Sequence, residues 1–184
     1  MEEKDQYIIR QETMALLPCD AEDGSLKTFV VEENKTILIA KTPFEIIRDS
    51  CNYFGVTYSG RKKGAVAMGY KSMPPICICS ELGIYFFPLM SELHRNCIWL
   101  AHPHCRNYTE TDNGVLVHLT HGYKIRIPVN LNVFKAKVHR TAQYSYQMLG
   151  RVSQFRSAGY GSAVSEEQSA SRLMVNERGT YYID

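Results

Sequence analysis

Short apolar runs separated by turn residues dominate the first forty positions of the chain. Residues 7–17 are rich in apolar and β-branched side chains, and similar runs occupy residues 28–31 and 36–40. Acidic residues with a glycine at 20–24, and the pair Glu33-Asn34, separate these runs as turns separate strands. The pattern therefore predicts a small meander of strands at the N-terminus.

A helical pattern begins at residue 42. Thr42 is a hydroxyl N-cap, Pro43 suits the first helical position, and Glu45 is spaced to complete a capping box. The apolar side chains that follow line one helical face: Phe44, Ile47, Cys51 and Phe54. We predict a capped helix that Gly55 terminates.

Glycines at positions 55, 60, 64 and 69 punctuate the next segment. They should break any long helix, so we predict a short helix or turn that presents Arg61, Lys62 and Lys63. Strand patterns return at residues 76–79, 84–87 and 97–101. Residues 115–120 and 123–129, which flank His121-Gly122, predict a hairpin.

A second helix is predicted from the Asn130 cap to Leu149, with Gly150 as its end. The predicted inward positions are Val133 or Phe134, Val138, Thr141 or Ala142, Ser145 and Leu149. Beyond Gly150 the composition changes to Ser, Gly, Ala and Arg, which predicts a flexible tail over residues 151–184. The fold class expected from these patterns is one α+β domain over residues 1–150, with mostly antiparallel strands.

The composition is consistent with one domain, and the charged residues are distributed unevenly along the chain. The chain has 184 residues, 45% of them hydrophobic, enough for one substantial core. Its net charge of +2 conceals an acidic start, since residues 1–41 hold 5 Lys and Arg against 9 Asp and Glu. Residues 42–75 hold 5 against 2, and residues 130–150 hold 3 against none. The excess positive charge lies in the two predicted helical regions, where it could attract a polyanion.

The start of the chain shows no signal peptide and the sequence has no apolar run of bilayer length, so we expect a cytoplasmic protein without a membrane partner. Its six cysteines are expected to be reduced thiols.

Arg61, Lys62 and Lys63 are the first candidates for contact with DNA, because closely spaced cations displace the counterions of nucleic acids. Arg48 and Lys71, nearby in the sequence, are secondary candidates for contact with DNA phosphates. Lys135, Lys137, His139 and Arg140 are candidates for a second phosphate-binding surface. The alternative is that the first group lies on an ordinary solvated loop and the second group on an ordinary solvated helix face.

A cluster of soft and imidazole ligands offers a different hypothesis, a zinc-stabilised interaction module. The candidate ligands are Cys77, Cys79, Cys97, His102, His104 and Cys105. The Cys-x-Cys and His-x-His pairs are expected to lie on strands, each pair on one face, but they lack the two-residue knuckle spacing. Buried thiols and core histidines are the alternative.

A thiol enzyme that uses Cys97 or Cys105 with His102 or His104 is the third hypothesis. No recognisable nucleophile turn accompanies these residues, and the glycines fit neither the dinucleotide pattern nor the P-loop pattern. We therefore expect no catalysis and no obligate cofactor.

The order of motifs over residues 42–105 resembles the ComK competence transcription factors. The motifs are Thr42-Pro43-Phe44-Glu45, Tyr53-Phe54-Gly55, residues 58–64, Pro74-Pro75-Ile76, Phe86-Phe87-Pro88 and residues 97–104. The resemblance implies a nucleoid-associated activator of DNA-uptake genes that binds paired A·T-rich boxes, largely through the minor groove, as a homo-oligomer. It also implies proteolytic control through an adaptor that binds the C-terminal region. The tail lacks the aromatic, hydrophobic and proline element expected for that contact.

Overall fold

The computed structural model describes residues 3–160, 173–175, 177–178 and 181–183. Its helices are α1 (Pro43–Tyr53), α2 (Tyr58–Ala67) and α3 (Leu131–Tyr160). Its strands are β1 (Glu3–Lys4), β2 (Thr13–Asp20), β3 (Leu26–Glu32), β4 (Thr36–Ile39), β5 (Ile76–Cys79), β6 (Ile84–Pro88), β7 (Trp99–Ala101), β8 (Cys105–Thr111), β9 (Gly114–Leu119), β10 (Lys124–Ile127), β11 (Leu173–Val175) and β12 (Tyr181–Ile183). The α+β prediction is confirmed.

Most of the strands form one large sheet of seven strands in the order β1-β4-β3-β2-β7-β6-β5. All neighbours in it are antiparallel except β1 and β4. A smaller antiparallel sheet has the order β10-β9-β8. Its β9–β10 hairpin is the predicted one, whereas β8 has a polar, weakly alternating sequence and was not predicted.

The large sheet is buried on both faces. Phe86 and Trp99 belong to the core cluster that includes the apolar side of α1, whereas their neighbours Phe87 and Leu100 belong to a second cluster with the small sheet and the start of α3. Successive side chains of a strand point to opposite faces, so a strand covered on both sides is apolar throughout. This explains the continuous apolar runs at residues 84–87 and 97–101.

The start of α1 is the predicted capping box. The Thr42 hydroxyl accepts from the Glu45 backbone N–H at 3.2 Å, and the Glu45 carboxylate accepts from the Thr42 N–H at 2.8 Å. The side of α1 that faces the sheet carries Ile46, Ile47 and Cys51, all fully buried. Local sequence alone fixes where this helix begins.

Helix α3 differs from the prediction at its end and on its buried face. It continues through Gly150 to Tyr160, because Gly150 does not have the left-handed conformation that ends helices at glycine. Within residues 131–154, where side-chain burial is described, the buried residues are Phe134, Lys137, Thr141 and Tyr144, whereas Leu149, predicted to face inward, is 53% exposed.

The chain divides into two compact units, residues 1–149 and 150–184. The second contains the β11–β12 hairpin. The flexible tail and the domain boundary stay predictions, and residues 161–172 of that tail lie outside the described residues. None of the described helices is both long enough and apolar enough to cross a bilayer.

Candidate nucleic-acid interface

Helix α2 carries the predicted basic triplet and is fixed to the body at its N-terminal end. The Thr57 hydroxyl caps it by accepting from the Gly60 N–H at 3.1 Å. The Tyr58 ring packs edge-on against Phe44, with ring centroids 4.9 Å apart, and against Trp99 at 6.5 Å. The short helix is thus confirmed, although Gly60 and Gly64 lie inside it and do not end it.

Replacing Gly64 by alanine should raise the free energy of unfolding by about 0.5–1 kcal/mol, because glycine costs roughly that much inside a helix. A methyl group there meets no atom within 4 Å. At Gly60 a methyl group would lie 3.0 Å from the capping Thr57 oxygen, so the same change should gain less or destabilise. Urea unfolding of both variants measures the difference, and a larger gain at Gly60 would contradict this placement of α2.

The three basic residues of α2 point in different directions, because successive residues of a helix are about 100° apart. Lys62 forms an ion pair with Glu92, and its Nζ lies 6.0 Å from the centroid of the Tyr58 ring. Burial opposes ionisation of Glu92, but the hydrogen bond and charge of Lys62 outweigh it and lower the pKa of that carboxyl group. The charge of Lys62 is therefore largely compensated within the chain.

Arg61 turns toward the body of the protein. Its Nε is buried and lacks a hydrogen-bond partner among the described residues. Burial raises the pKa of the Cys77 thiol, and the positive charge of Arg61 opposes that rise. Lys63, by contrast, is exposed and forms no ion pair with any described residue. Of the triplet, Lys63 is the residue best exposed to a ligand.

Tertiary structure joins the region after α2 to helix α3. The Arg140 guanidinium donates to the Ser72 carbonyl oxygen at 3.1 Å and lies 5.8 Å from the centroid of the Tyr70 ring. Lys71, which is exposed, lies between these two contact residues in the chain. Two predicted contacts that are 69 positions apart in the sequence are thereby brought together.

The two lysines near the start of α3 have opposite environments. Lys135 is exposed, whereas Lys137 is only 6% exposed and its Nζ donates to the Pro88 carbonyl oxygen at 2.8 Å. Burial lowers the pKa of Lys137. The interpretation of Lys137 as a phosphate contact is therefore corrected, since its charged end is anchored inside the protein.

Arg48 is half-exposed on α1 and is held by its neighbour. Its guanidinium donates to the Asp49 carboxylate at 3.3 Å, and Lys41 binds the same carboxylate at 2.7 Å. His139, the remaining basic candidate, is exposed on α3.

The candidate zinc ligands do not converge. Among the residues that the structure describes, no three His, Cys, Asp or Glu side chains are close enough to hold a metal ion. A bulge in β5 separates Cys77 from Cys79, and the two belong to different core clusters, so the prediction that they share a face is wrong. His102 and His104 lie in a single helical turn between β7 and β8, and not on a strand.

The side chains of this set have structural partners of their own. The ring nitrogens of His104 bond to the Thr120 hydroxyl at 2.7 Å and to the Gln11 carbonyl oxygen at 2.6 Å. Burial raises the pKa of Cys97 and raises that of Cys105 to about 12. Because the thiolate is the reactive form, these environments do not activate either cysteine as a nucleophile.

Ion pairing is uneven along the first unit, a feature that the segment counts did not reveal. Within residues 3–149, each lysine or arginine with a resolved carboxylate partner lies at or before Arg95. Arg106, Lys124 and Arg126 are exposed and have no such partner. In the sequence these cations are concealed by a balanced composition, since residues 76–129 hold 4 Lys and Arg against 4 Asp and Glu.

Comparison with known proteins identifies the family. The model of the family described as ComK protein matches residues 4–153. A protein of Bacillus subtilis (strain 168) named competence transcription factor is 29% identical over 140 residues, which are 75% of this chain and 72% of that protein. No solved structure matches significantly. Because the family match spans most of the sequence, the chain belongs to the ComK family.

Proposed function

We propose that this protein is a transcription factor that binds A·T-rich double-stranded DNA and activates genes of DNA uptake. Membership of the ComK family and the name of the Bacillus relative support this function. The observation that carries the proposal is the junction of the two predicted basic regions, where Arg140 contacts Ser72 and Tyr70 on either side of Lys71. Neither α2 with the segment that follows it nor α3 alone would bring these basic residues together.

The DNA contacts are assigned to four residues, which we call the α2/α3 cations: Lys63, Lys71, Lys135 and Arg140. Three of them are exposed, and none forms a resolved ion pair within the described part of the chain. Arg48, Arg61 and Lys62 are assigned supporting contacts, because each is already held by a local partner or by burial. Cations without a carboxylate partner contribute most to phosphate binding.

Recognition of A·T-rich boxes is proposed to occur largely in the minor groove. In A·T tracts this groove is narrow and its potential is strongly negative, which favours inserted basic side chains. Two further properties belong to the proposal: action as a homo-oligomer on paired boxes, and control by a proteolytic adaptor. The adaptor would bind the C-terminal region, much of which lies outside the described residues.

The combined variant Lys63→Ala, Lys71→Ala and Lys135→Ala tests the assignment. Each lost phosphate contact should reduce the slope of log affinity against log salt by roughly 0.9, so the three together should reduce it by about 2.7. The measurement is a binding titration on an A·T-rich duplex at several salt concentrations.

The matched control removes three cations that are paired within the chain, Lys27, Lys35 and Lys41, whose partners are Glu3, Glu32 and Asp49. The net charge changes equally, yet the slope should stay near that of the unmodified protein. Equal slopes for the two triple variants would refute the assignment.

Groove choice is tested by replacing A·T pairs with inosine·cytosine pairs. These pairs present the minor-groove pattern of A·T and the major-groove pattern of G·C, because inosine lacks the N2 amino group of guanine. A minor-groove reader should bind the substituted duplex nearly as well as the A·T-rich one. Affinity as low as on a G·C-rich duplex would assign recognition to the major groove.

A further inference from the structure

The outward side of the small sheet carries two cations, Lys124 and Arg126, that form no ion pair with any residue described in the first unit. Between Asp112 and Glu166 the sequence contains no Asp or Glu. That interval holds Lys124, Arg126, Lys135, Lys137, Arg140, Arg151 and Arg156. Lys137 is buried, but Lys124 and Arg126 are exposed on β10. Local potential, and not net charge, decides whether a surface attracts a polyanion.

The register of the sheet places these cations among polar side chains. Lys124 pairs with His118, which pairs with Asn107, and Arg126 pairs with Leu116, which pairs with Thr109. Val115, Val117, Leu119 and Ile127 alternate with them and are buried, so the named six point away from the core. We call this set, Asn107, Thr109, Leu116, His118, Lys124 and Arg126, the outer sheet face.

We propose that the outer sheet face is a second DNA-contacting surface, at which Lys124 and Arg126 each bind a phosphate of the duplex. This inference rests on the proposed DNA binding and extends it to a surface that the basic helices do not include. Antiparallel strands are an established means of contacting DNA.

The spacing of the two cations and the chemistry of their neighbours both suit contact with a DNA duplex. Side chains two residues apart on a strand are about 7 Å apart, while phosphates of one DNA strand recur about every 3.4 Å along the helix axis, so the two cations can reach different phosphates. Asn107, Thr109 and His118 add side chains that can donate hydrogen bonds. Of the carboxylates nearest along these strands, Glu110 of β8 pairs with Val115 and is therefore on the opposite face of the sheet from Thr109, and Asp112 lies in the turn between β8 and β9.

The test is the double variant Lys124→Gln and Arg126→Gln, in which side-chain length is largely kept. Loss of two phosphate contacts should reduce the slope of log affinity against log salt by about 1.8. When salt is raised from 50 to 200 mM, the factor by which the variant loses affinity should therefore be about tenfold smaller than for the unmodified protein. The reduction should be equal on A·T-rich and G·C-rich duplexes, because phosphate contacts carry no sequence information.

Its control is Lys27→Gln with Lys35→Gln, which changes net charge equally at two paired cations. Thermal unfolding of both double variants verifies folding. The charge-conserving exchange Lys124→Arg with Arg126→Lys should keep the original slope. A slope for the double variant equal to that of its control would overturn the inference, and so would a change in oligomer size without a change in slope.

The two proposals fail separately. If the unmodified protein shows no salt-dependent affinity for DNA, the proposed function itself is wrong. If the variant of the α2/α3 cations loses slope and the β10 variant does not, only the second surface is refuted. If both lose slope and their effects add, both surfaces contact the duplex, as additivity is expected for distant independent sites.

Discussion

Replacing Tyr144 by alanine is expected to lower the free energy of unfolding by about 3–5 kcal/mol, the range for removal of a large buried aromatic side chain. Tyr144 is 1% exposed on α3. Its ring packs edge-on against Tyr70, with centroids 5.4 Å apart, and against Tyr85 at 6.1 Å. The cluster also includes Ala65 of α2, so it joins α2, the large sheet and α3.

Loss of this cluster should also affect DNA binding, because Tyr70 is part of the site that holds Arg140 beside Lys71. Urea unfolding measures the stability loss. Tyr146→Ala is the matched control, since that tyrosine is on the same helix and 79% exposed. It should change stability by no more than about 0.5 kcal/mol. Similar losses for the two variants would mean that α3 does not pack through Tyr144.

Replacing Gly114 by alanine should destabilise the protein by about 3 kcal/mol or more, because overlap and backbone strain act together. Gly114 begins β9 with φ of +136°, a conformation that side chains disfavour. A methyl group there would overlap the carbonyl oxygen of Ile127, the last residue of β10.

Gly122→Ala provides the comparison for this change. Gly122, near the other end of the β9–β10 hairpin, also has positive φ, +76°, but a methyl group there meets no atom within 4 Å. Only the cost of holding alanine in a left-handed backbone conformation remains, about 1–2 kcal/mol. Urea unfolding should therefore rank Gly114→Ala well below Gly122→Ala in stability. An equal loss at both positions would refute the close approach of Ile127.

Elements with strong local signals were predicted well from the sequence. The Thr42 cap with Pro43 and Glu45 fixed the start of α1, and the strand at residues 76–79 coincides with β5. Strand β8 was not predicted because its own sequence is polar and mostly exposed, and its pairing with β9 makes it a strand. The end of α3 was misplaced because a glycine permits the end of a helix without requiring it.

For the candidate interface, too, one part could be predicted from the sequence and another part could not. Its residue types and the two basic regions were recognisable from the sequence, but the accessibility of each cation was not. Lys62 forms an ion pair with Glu92, 30 positions away in the sequence, and Lys137 donates a hydrogen bond to the carbonyl oxygen of Pro88, 49 positions away. No local pattern contains such partners.

The sequence by itself determined the α+β class, the places where the main helices begin, and the family, because these depend on local propensity and on the order of motifs. Tertiary structure alone decided which of the described cations lack a carboxylate partner, that Cys77 and Cys79 lie in different clusters, and that Arg140 contacts the residues on either side of Lys71. The physical reason is that charge compensation and burial depend on distances in space, which the fold sets between residues far apart in the chain.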